Sequence, residues 1–84
     1  MVSAAKAKRV LADRIRELRQ EKRWSQEKLA ENASMHRIYL AGIERALRNP
    51  SLENLVKLAN ALEVTLPELF ATIGTGGTGK KSGR

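Results

Sequence analysis

The chain has 84 residues, which is enough for one small domain with its own core. Because the chain has no cysteine, a disulfide framework, a thiolate zinc site and a cysteine nucleophile are excluded. Its single histidine cannot form a metal site without other ligands. The formal net charge of +7 favours an anionic partner such as a nucleic acid. Since no run approaches the roughly 20 apolar residues of a membrane span, we expect a cytosolic protein without a membrane partner. We predict no enzyme, cofactor or metal.

The positive charge is unevenly distributed along the chain. Residues 1–9, 10–50 and 74–84 each carry +3, whereas residues 51–73 carry −2. Basic ends that only aid solubility would not explain this asymmetry within the folded part. We divide the chain into a basic N-terminal arm with the start of the first helix (1–9), a folded DNA-binding and dimerisation domain (10–73) and a flexible Gly/Lys-rich tail (74–84).

The apolar spacing predicts five helices and no strand, which makes the fold all-α and a compact five-helix bundle. The first helix is expected at about residues 4–22, with Leu11, Ile15 and Leu18 at helical spacing. Ser25 is a good N-cap for the second helix, and the third is expected at about residues 36–45.

The last two helices carry their own start signals. Pro50 disfavours helix before it, and Ser51 caps a fourth helix at about residues 52–62. Thr65 and Glu68 form a capping box with Pro67 in the first turn of a fifth helix. The side chains expected to face the core from the third and fourth helices are Leu40, Ile43, Leu47, Leu55, Val56, Leu58, Ala59 and Leu62.

Residues 25–45 are the most informative segment, because their pattern is typical of two short amphipathic helices joined by a tight turn. Small Ala30 and the polar break around Ser34 let these helices cross at close range. Such a helix-turn-helix places its second helix in the major groove of DNA. We therefore predict a sequence-specific DNA-binding protein.

The side of the third helix that faces away from the core has arginines among small or apolar residues, unlike a solvated helix. Arginine can bind guanine O6 and N7, and alanine or isoleucine can meet a thymine methyl. A mid-helix glycine costs about 1 kcal/mol relative to alanine, which close approach to DNA would offset. A histidine is a poorer N-cap than serine, so DNA contact is an alternative role for it. The predicted base-reading residues are His36, Arg37, Ile38, Ala41 and Gly42.

Neighbouring residues are predicted to hold the DNA backbone, although each could equally be an ordinary surface residue. Backbone N–H groups at a helix N-terminus favour an anion, which points to the start of the second helix. Tyr39 could lie in the core or offer its hydroxyl to a phosphate, and we favour the phosphate. The predicted phosphate contacts are Ser25, Gln26, Tyr39, Arg45, Arg48 and Asn49.

Residues 15–18, 25–30, 37–45 and 48–52 resemble the lambda-repressor/Cro-like (XRE-type) helix-turn-helix regulators, and the resemblance extends over about residues 10–70. The run that ends at residue 70 is most similar to controller proteins of restriction-modification systems. This resemblance implies a lambda-repressor-like fold and a homodimer on paired, near-palindromic operator half-sites. It further implies transcription control, as repressor or activator, of the chain's own gene and a neighbouring endonuclease gene, with RNA polymerase as a further contact.

The resemblance also implies residue roles. Gln26 matches the family's DNA-contacting glutamine, and Arg48 and Asn49 match its backbone-contacting loop. The base-facing positions match His36, Arg37, Ile38 and Ala41. Ser34 and Ala46 stand where the family usually has glycine, so we expect the third helix to end differently, because a left-handed turn without glycine costs about 1–2 kcal/mol. Ile38 replaces a usual polar reader.

The fifth helix carries more apolar residues than a bundle of this size must bury. We place the dimer surface there, with parts of the fourth helix, on Leu66, Leu69, Phe70 and Ile73. Two alternatives stay open. One is an antitoxin-like or bridging protein-interaction module with secondary DNA binding, and the other is a non-specific nucleic-acid coater driven by the basic ends.

Overall fold

The computed structural model describes residues 3–71, which form five helices. In chain order these are α1 (Ala4–Glu21), α2 (Gln26–Asn32), α3 (Arg37–Glu44), α4 (Leu52–Leu62) and α5 (Leu66–Leu69). Residues 3–71 contain no strand, so the predicted all-α fold is confirmed. None of these helices combines the length and apolar character needed to cross a bilayer. Ile73 and residues 74–84, for which we predicted a dimer contact and a tail, lie outside the described range.

Each helix begins with a capping side chain, and the caps predicted for α2, α4 and α5 are confirmed. The Ser25 hydroxyl accepts a hydrogen bond from the backbone N–H of Lys28, the third residue of α2, at 3.0 Å. The Ser51 hydroxyl accepts one from Asn54, the third residue of α4, at 3.1 Å. Thr65 and Glu68 form the predicted reciprocal capping box of α5. His36 also acts as an N-cap, since its Nδ1 accepts from the Ile38 N–H at 3.1 Å.

Each of the helices α1 to α4 is followed by a residue in the left-handed conformation. The residues with positive φ are all non-glycine: Arg23, Ser34, Ala46 and Glu63. After α3 the Leu47 N–H donates back to the Gly42 carbonyl at 2.8 Å, which closes a Schellman motif. Our expectation of a different ending without glycine is therefore wrong, because Ala46 adopts φ 61° and the motif forms around it.

The core is formed by one apolar stripe from each helix, and its twelve buried side chains come from all five. Two predicted core residues are corrected. Leu47 is 64% exposed, because the left-handed turn at Ala46 takes the chain off the helical path that its spacing assumed. Val56 is 40% exposed, since it lies beside the i, i+3, i+4 stripe that packs inward.

The packing order determines which side of α3 is free. α3 packs against α1 and α2, while α4 packs against α2 and α5, and α5 also packs against α1. Leu40 and Ile43 are buried in this core, at 0% and 1% exposure. The opposite side of α3 therefore points away from the bundle.

Candidate nucleic-acid interface

The outer face of α3, defined here as Arg37, Ile38, Ala41 and Arg45, lies opposite its buried stripe. Arg37 and Arg45 are exposed, Ile38 is 61% exposed and Ala41 is half-buried. The structure thus brings four of the sequence-predicted DNA contacts onto one surface. A guanidinium next to an exposed branched apolar side chain offers both hydrogen-bond donors and an apolar contact to base edges.

The inner side of α3 ends on a buried carboxylate that the sequence analysis missed. Glu44 is 1% exposed, and Arg19 donates to its two oxygens from Nε at 2.8 Å and from Nη2 at 3.0 Å. Gln26 donates to Glu44 Oε1 at 3.0 Å, and Arg16 donates to the Glu44 carbonyl. The position of Glu44 four residues after buried Leu40 was the available signal for its burial.

This Glu44 network ties the two helices of the helix-turn-helix to α1. Arg19 comes from α1, Gln26 from the first turn of α2 and Glu44 from the last turn of α3. Arg19 also donates to the Trp24 carbonyl at 2.9 Å, which fixes the connection before α2. The ion pair is nearly enclosed, because the side chain of Arg19 is 13% exposed. The network therefore holds α3 at a set angle to α2 and keeps the predicted phosphate contact Gln26 half-buried in one place.

A second feature of α3 corrects the prediction for Gly42. Gly42 is buried rather than facing the groove, because the side chain of Arg48 lies across it. The Arg48 guanidinium carbon is 5.8 Å from the centroid of the Tyr39 ring. Tyr39 is half-buried against the core, and its hydroxyl accepts a hydrogen bond from Asn54 Nδ2 at 3.1 Å. The ring thus packs inward, while the hydroxyl can still donate, and the phosphate contact of Tyr39 stays a prediction.

The remaining predicted contacts surround this surface. Ser25, His36 and Asn49 are exposed, and the Ser25 hydroxyl, like His36 Nδ1, already caps its helix. The exposed hydroxyl of Ser25 keeps its proton to donate. This arrangement of a fixed helix pair with an exposed second helix is the geometry that presents side chains to the major groove.

Residues 15–69 match the family model described as helix-turn-helix. The chain belongs to the helix-turn-helix family. The control protein C.SmaI of Serratia marcescens is 40% identical over 67 residues, covering 80% of both chains. The control protein C.BamHI of Bacillus amyloliquefaciens is 43% identical over 68 residues, covering 77% of this chain and 84% of its own.

Solved structures of helix-turn-helix proteins agree with the fold. The restriction-modification controller protein C.AhdI from Aeromonas hydrophila is 46% identical with a TM-score of 0.73, covering 75% of this chain and 96% of its own. The N-terminal DNA binding domain of SinR from Bacillus subtilis is 36% identical with a TM-score of 0.72, covering 79% and 97%. The predicted class of protein, a helix-turn-helix DNA-binding transcriptional regulator similar to restriction-modification controller proteins, is confirmed.

The residues predicted to form the dimer surface differ in how far they are exposed. Leu69 is 0% exposed and belongs to the core, because α5 packs against α1 and α4, so its prediction as a dimer contact is wrong. Leu66 is half-buried against the same core, and Phe70 is 42% exposed. On α4, Leu52 at 69% and Val56 at 40% are exposed apolar residues that were not among the predicted dimer contacts.

Proposed function

We propose that two copies of this chain bind a near-palindromic operator and regulate the chain's own gene together with a neighbouring restriction endonuclease gene. The observation that carries the proposal is the outer face of α3, where Arg37 and 61%-exposed Ile38 stand on a helix that is fixed from behind. The similarity to restriction-modification controller proteins supports the choice of genes.

Base recognition is assigned to the N-terminal half of α3. The Arg37 guanidinium would donate to guanine O6 and N7, which is the commonest bidentate contact in the major groove. Ile38 and Ala41, which lie three residues apart on the same face, would contact a thymine methyl. His36 keeps its Nε2 for a base edge or a phosphate, because Nδ1 is used in capping. The half-site is therefore expected to contain a guanine next to a thymine.

Backbone contacts are assigned to the residues on both sides of α3. Ser25 and Gln26 stand at the N-terminus of α2, where the Ser25 hydroxyl and the first backbone N–H groups favour a phosphate. Arg45, Arg48 and Asn49 follow α3 and lie exposed along the other edge of the surface. Such contacts fix register and orientation without reading sequence.

The dimer surface is assigned to the exposed apolar residues of α4 and the residue after α5. Leu52 and Val56 lie four residues apart on one face of α4, and Phe70 follows α5, which packs against α4. Binding of such a dimer to two successive half-sites requires its two α3 helices to lie about 34 Å apart, which is one turn of DNA. Replacing Leu52 and Val56 together by glutamate should shift the mass in solution from dimer to monomer, whereas the same change at exposed Asn60 should not.

The proposal is tested by a fluorescence-anisotropy titration at about 150 mM salt, where non-specific electrostatic binding is already weakened. DNA from upstream of the chain's own gene is compared with a shuffled duplex of equal composition. A preference of about 10³-fold or more is expected for a specific regulator. Equal weak binding to both duplexes would contradict the proposal. A variant that lacks residues 74–84 should keep most of its binding and its preference, whereas loss of most binding would indicate a non-specific coater driven by the basic ends.

A further inference from the structure

We propose that Gly42 is a positioning residue that lets Arg48 lie over Tyr39, ready to bind one DNA phosphate. This inference rests on the proposed function, because it concerns the same DNA-binding surface. It assigns to Gly42 a role other than base reading and explains why a buried mid-helix position lacks a side chain. The three residues Gly42, Tyr39 and Arg48 are called the arginine shelf below.

On one side the Arg48 side chain lies against the backbone of α3 at Gly42. A methyl group built on Gly42 would lie 2.5 Å from Cγ of Arg48, 3.3 Å from its Nε and 3.4 Å from its Cδ. The first of these distances is far below van der Waals contact between carbon atoms. Any residue larger than glycine would therefore displace the Arg48 side chain along most of its length.

The Arg48 guanidinium also lies over the ring of Tyr39, with its central carbon 5.8 Å from the ring centroid. A guanidinium at this distance over an aromatic ring is attracted by the ring's negative face. The ring is itself held in place, because Asn54 in α4 donates to its hydroxyl at 3.1 Å and the ring packs against the core. The arginine shelf therefore holds the charged group of Arg48 against a part of the molecule that is itself fixed by the core.

A phosphate is the partner that fits this arginine. Arg48 lies beyond the C-terminus of α3, whereas a recognition helix contacts base edges mainly through its N-terminal residues. A guanidinium binds phosphate through parallel N–H donors, and an arginine already ordered loses less side-chain entropy on binding. The arginine shelf thus serves affinity and register, while Arg37 and Ile38 read sequence.

The first test needs no DNA and records the side-chain Nε–H signals of the arginines by NMR. The Arg48 signal, identified by its absence in Arg48→Ala, should be displaced by the Tyr39 ring in the wild-type chain. Gly42→Ala should move it to the position of other exposed arginines such as Arg45, and Tyr39→Leu should do the same by a separate route. An Arg48 signal that stays in place in both variants would overturn the inference.

The second test measures operator affinity against salt. Gly42→Ala should weaken binding about tenfold, the size of one charge-assisted contact, and lower the slope of log K against log salt by about one per protomer. A merely structural effect would leave the slope unchanged. In an Arg48→Ala background Gly42→Ala should have no further effect, whereas in the matched Arg45→Ala background it should keep its full effect.

The two tests separate the inference from the proposed function. Alanine favours helix over glycine, so Gly42→Ala is expected to fold at least as well as the wild-type chain. Additive losses for Gly42→Ala and Arg48→Ala would overturn the arginine shelf while leaving operator binding intact. Absence of specific binding by the wild-type chain would overturn the proposed function, and the NMR result would then decide the shelf geometry alone.

Discussion

The inner side of α3 is buried and hydrogen-bonded to other helices, whereas its outer side is exposed. On the inner side Glu44 is 1% exposed and receives hydrogen bonds from α1 and α2. On the outer side Ile38 is 61% exposed and stands next to exposed Arg37. The inner side sets where α3 points, and we propose that the outer side sets what it contacts. Substitutions at Arg37 or Ile38 are therefore expected to change the preferred DNA sequence without changing the fold, whereas a substitution at Glu44 is expected to disturb the fold.

The largest expected effect comes from breaking the inner side. Glu44→Ala leaves the nearly buried guanidinium of Arg19 without its carboxylate and should lower the free energy of unfolding by about 3 kcal/mol. Urea denaturation measures this loss. Glu17→Ala removes a carboxylate from the more exposed Arg14–Glu17 pair and should change stability by less than about 1 kcal/mol. Equal losses in the two variants would contradict the distinction between the inner side and an ordinary surface pair.

The next effect concerns base reading on the outer face. Arg37→Ala should cost about 1–3 kcal/mol of binding free energy and relax specificity at one base pair of the half-site. Titrations against a set of single base-pair operator variants measure both quantities. Arg48→Ala is the matched arginine, and it should weaken all duplexes alike and reduce the salt dependence. Identical behaviour of the two variants would show that the assigned division between base and phosphate contacts is wrong.

A third effect concerns the left-handed turn that ends α3. Ala46→Gly should raise the free energy of unfolding by about 1 kcal/mol, because glycine adopts φ 61° without the clash that a Cβ causes. Ala61→Gly, inside α4, should lower it by about 1 kcal/mol or more, since glycine is a poor helix former. Thermal unfolding of the two variants gives opposite signs if Ala46 is strained. A destabilised Ala46→Gly would mean that the left-handed turn carries no such cost.

A smaller effect isolates the methyl contact assigned to Ile38. Replacing the contacted thymine by deoxyuridine removes one methyl group and should weaken binding by about 0.8 kcal/mol. The comparison of the two duplexes by anisotropy titration reports this difference. In Ile38→Ala the difference between the two duplexes should become smaller, because only Ala41 of the two assigned side chains would still contact the methyl group. A thymine preference of undiminished size in Ile38→Ala would assign the methyl contact to another residue.

The smallest effect contrasts exposed Glu68 with buried Glu44. Hydrogen bonds from the Thr65 backbone and hydroxyl lower the pKa of the exposed Glu68 carboxyl below its usual 4.5. Its contribution to stability is therefore present above the unfolded pKa and lost as the pH falls through the lowered folded pKa. The pH dependence of unfolding below about pH 5 should be shallower in Glu68→Gln than in the wild-type chain. An unchanged profile would show that the hydrogen bonds from Thr65 do not lower the pKa of Glu68 enough to affect folding.

The features that sequence could predict are those set by neighbouring residues. Ser25, Ser51 and Thr65 marked three helix starts, because a cap depends on the next few residues only. The outward placement of Arg37 and Ile38 followed from helical periodicity. Family resemblance added the class of regulator, which the helix-turn-helix match supports.

The features that sequence could not predict depend on contacts between distant segments. Burial of Glu44 requires Arg19 from α1, and burial of Gly42 requires Arg48 to fold back from a loop. Leu47 left the core because Ala46 adopts the left-handed conformation that we expected only glycine to take. The local pattern predicted the right helix but the wrong side for Gly42, because Arg48 lies beyond that helix, whereas Leu47 is turned outward by its neighbour Ala46.

The most direct test of operator binding through the outer face of α3 is an NMR titration with the duplex preferred in the anisotropy experiment. Backbone and arginine side-chain signals are followed as the duplex is added. The largest shifts are expected at Arg37, Ile38 and Ala41, at the start of α2 and at Arg48, with small shifts at Leu58 and Leu62 in the core. Shifts concentrated on the exposed side of α4 or in residues 74–84 would contradict binding through the outer face.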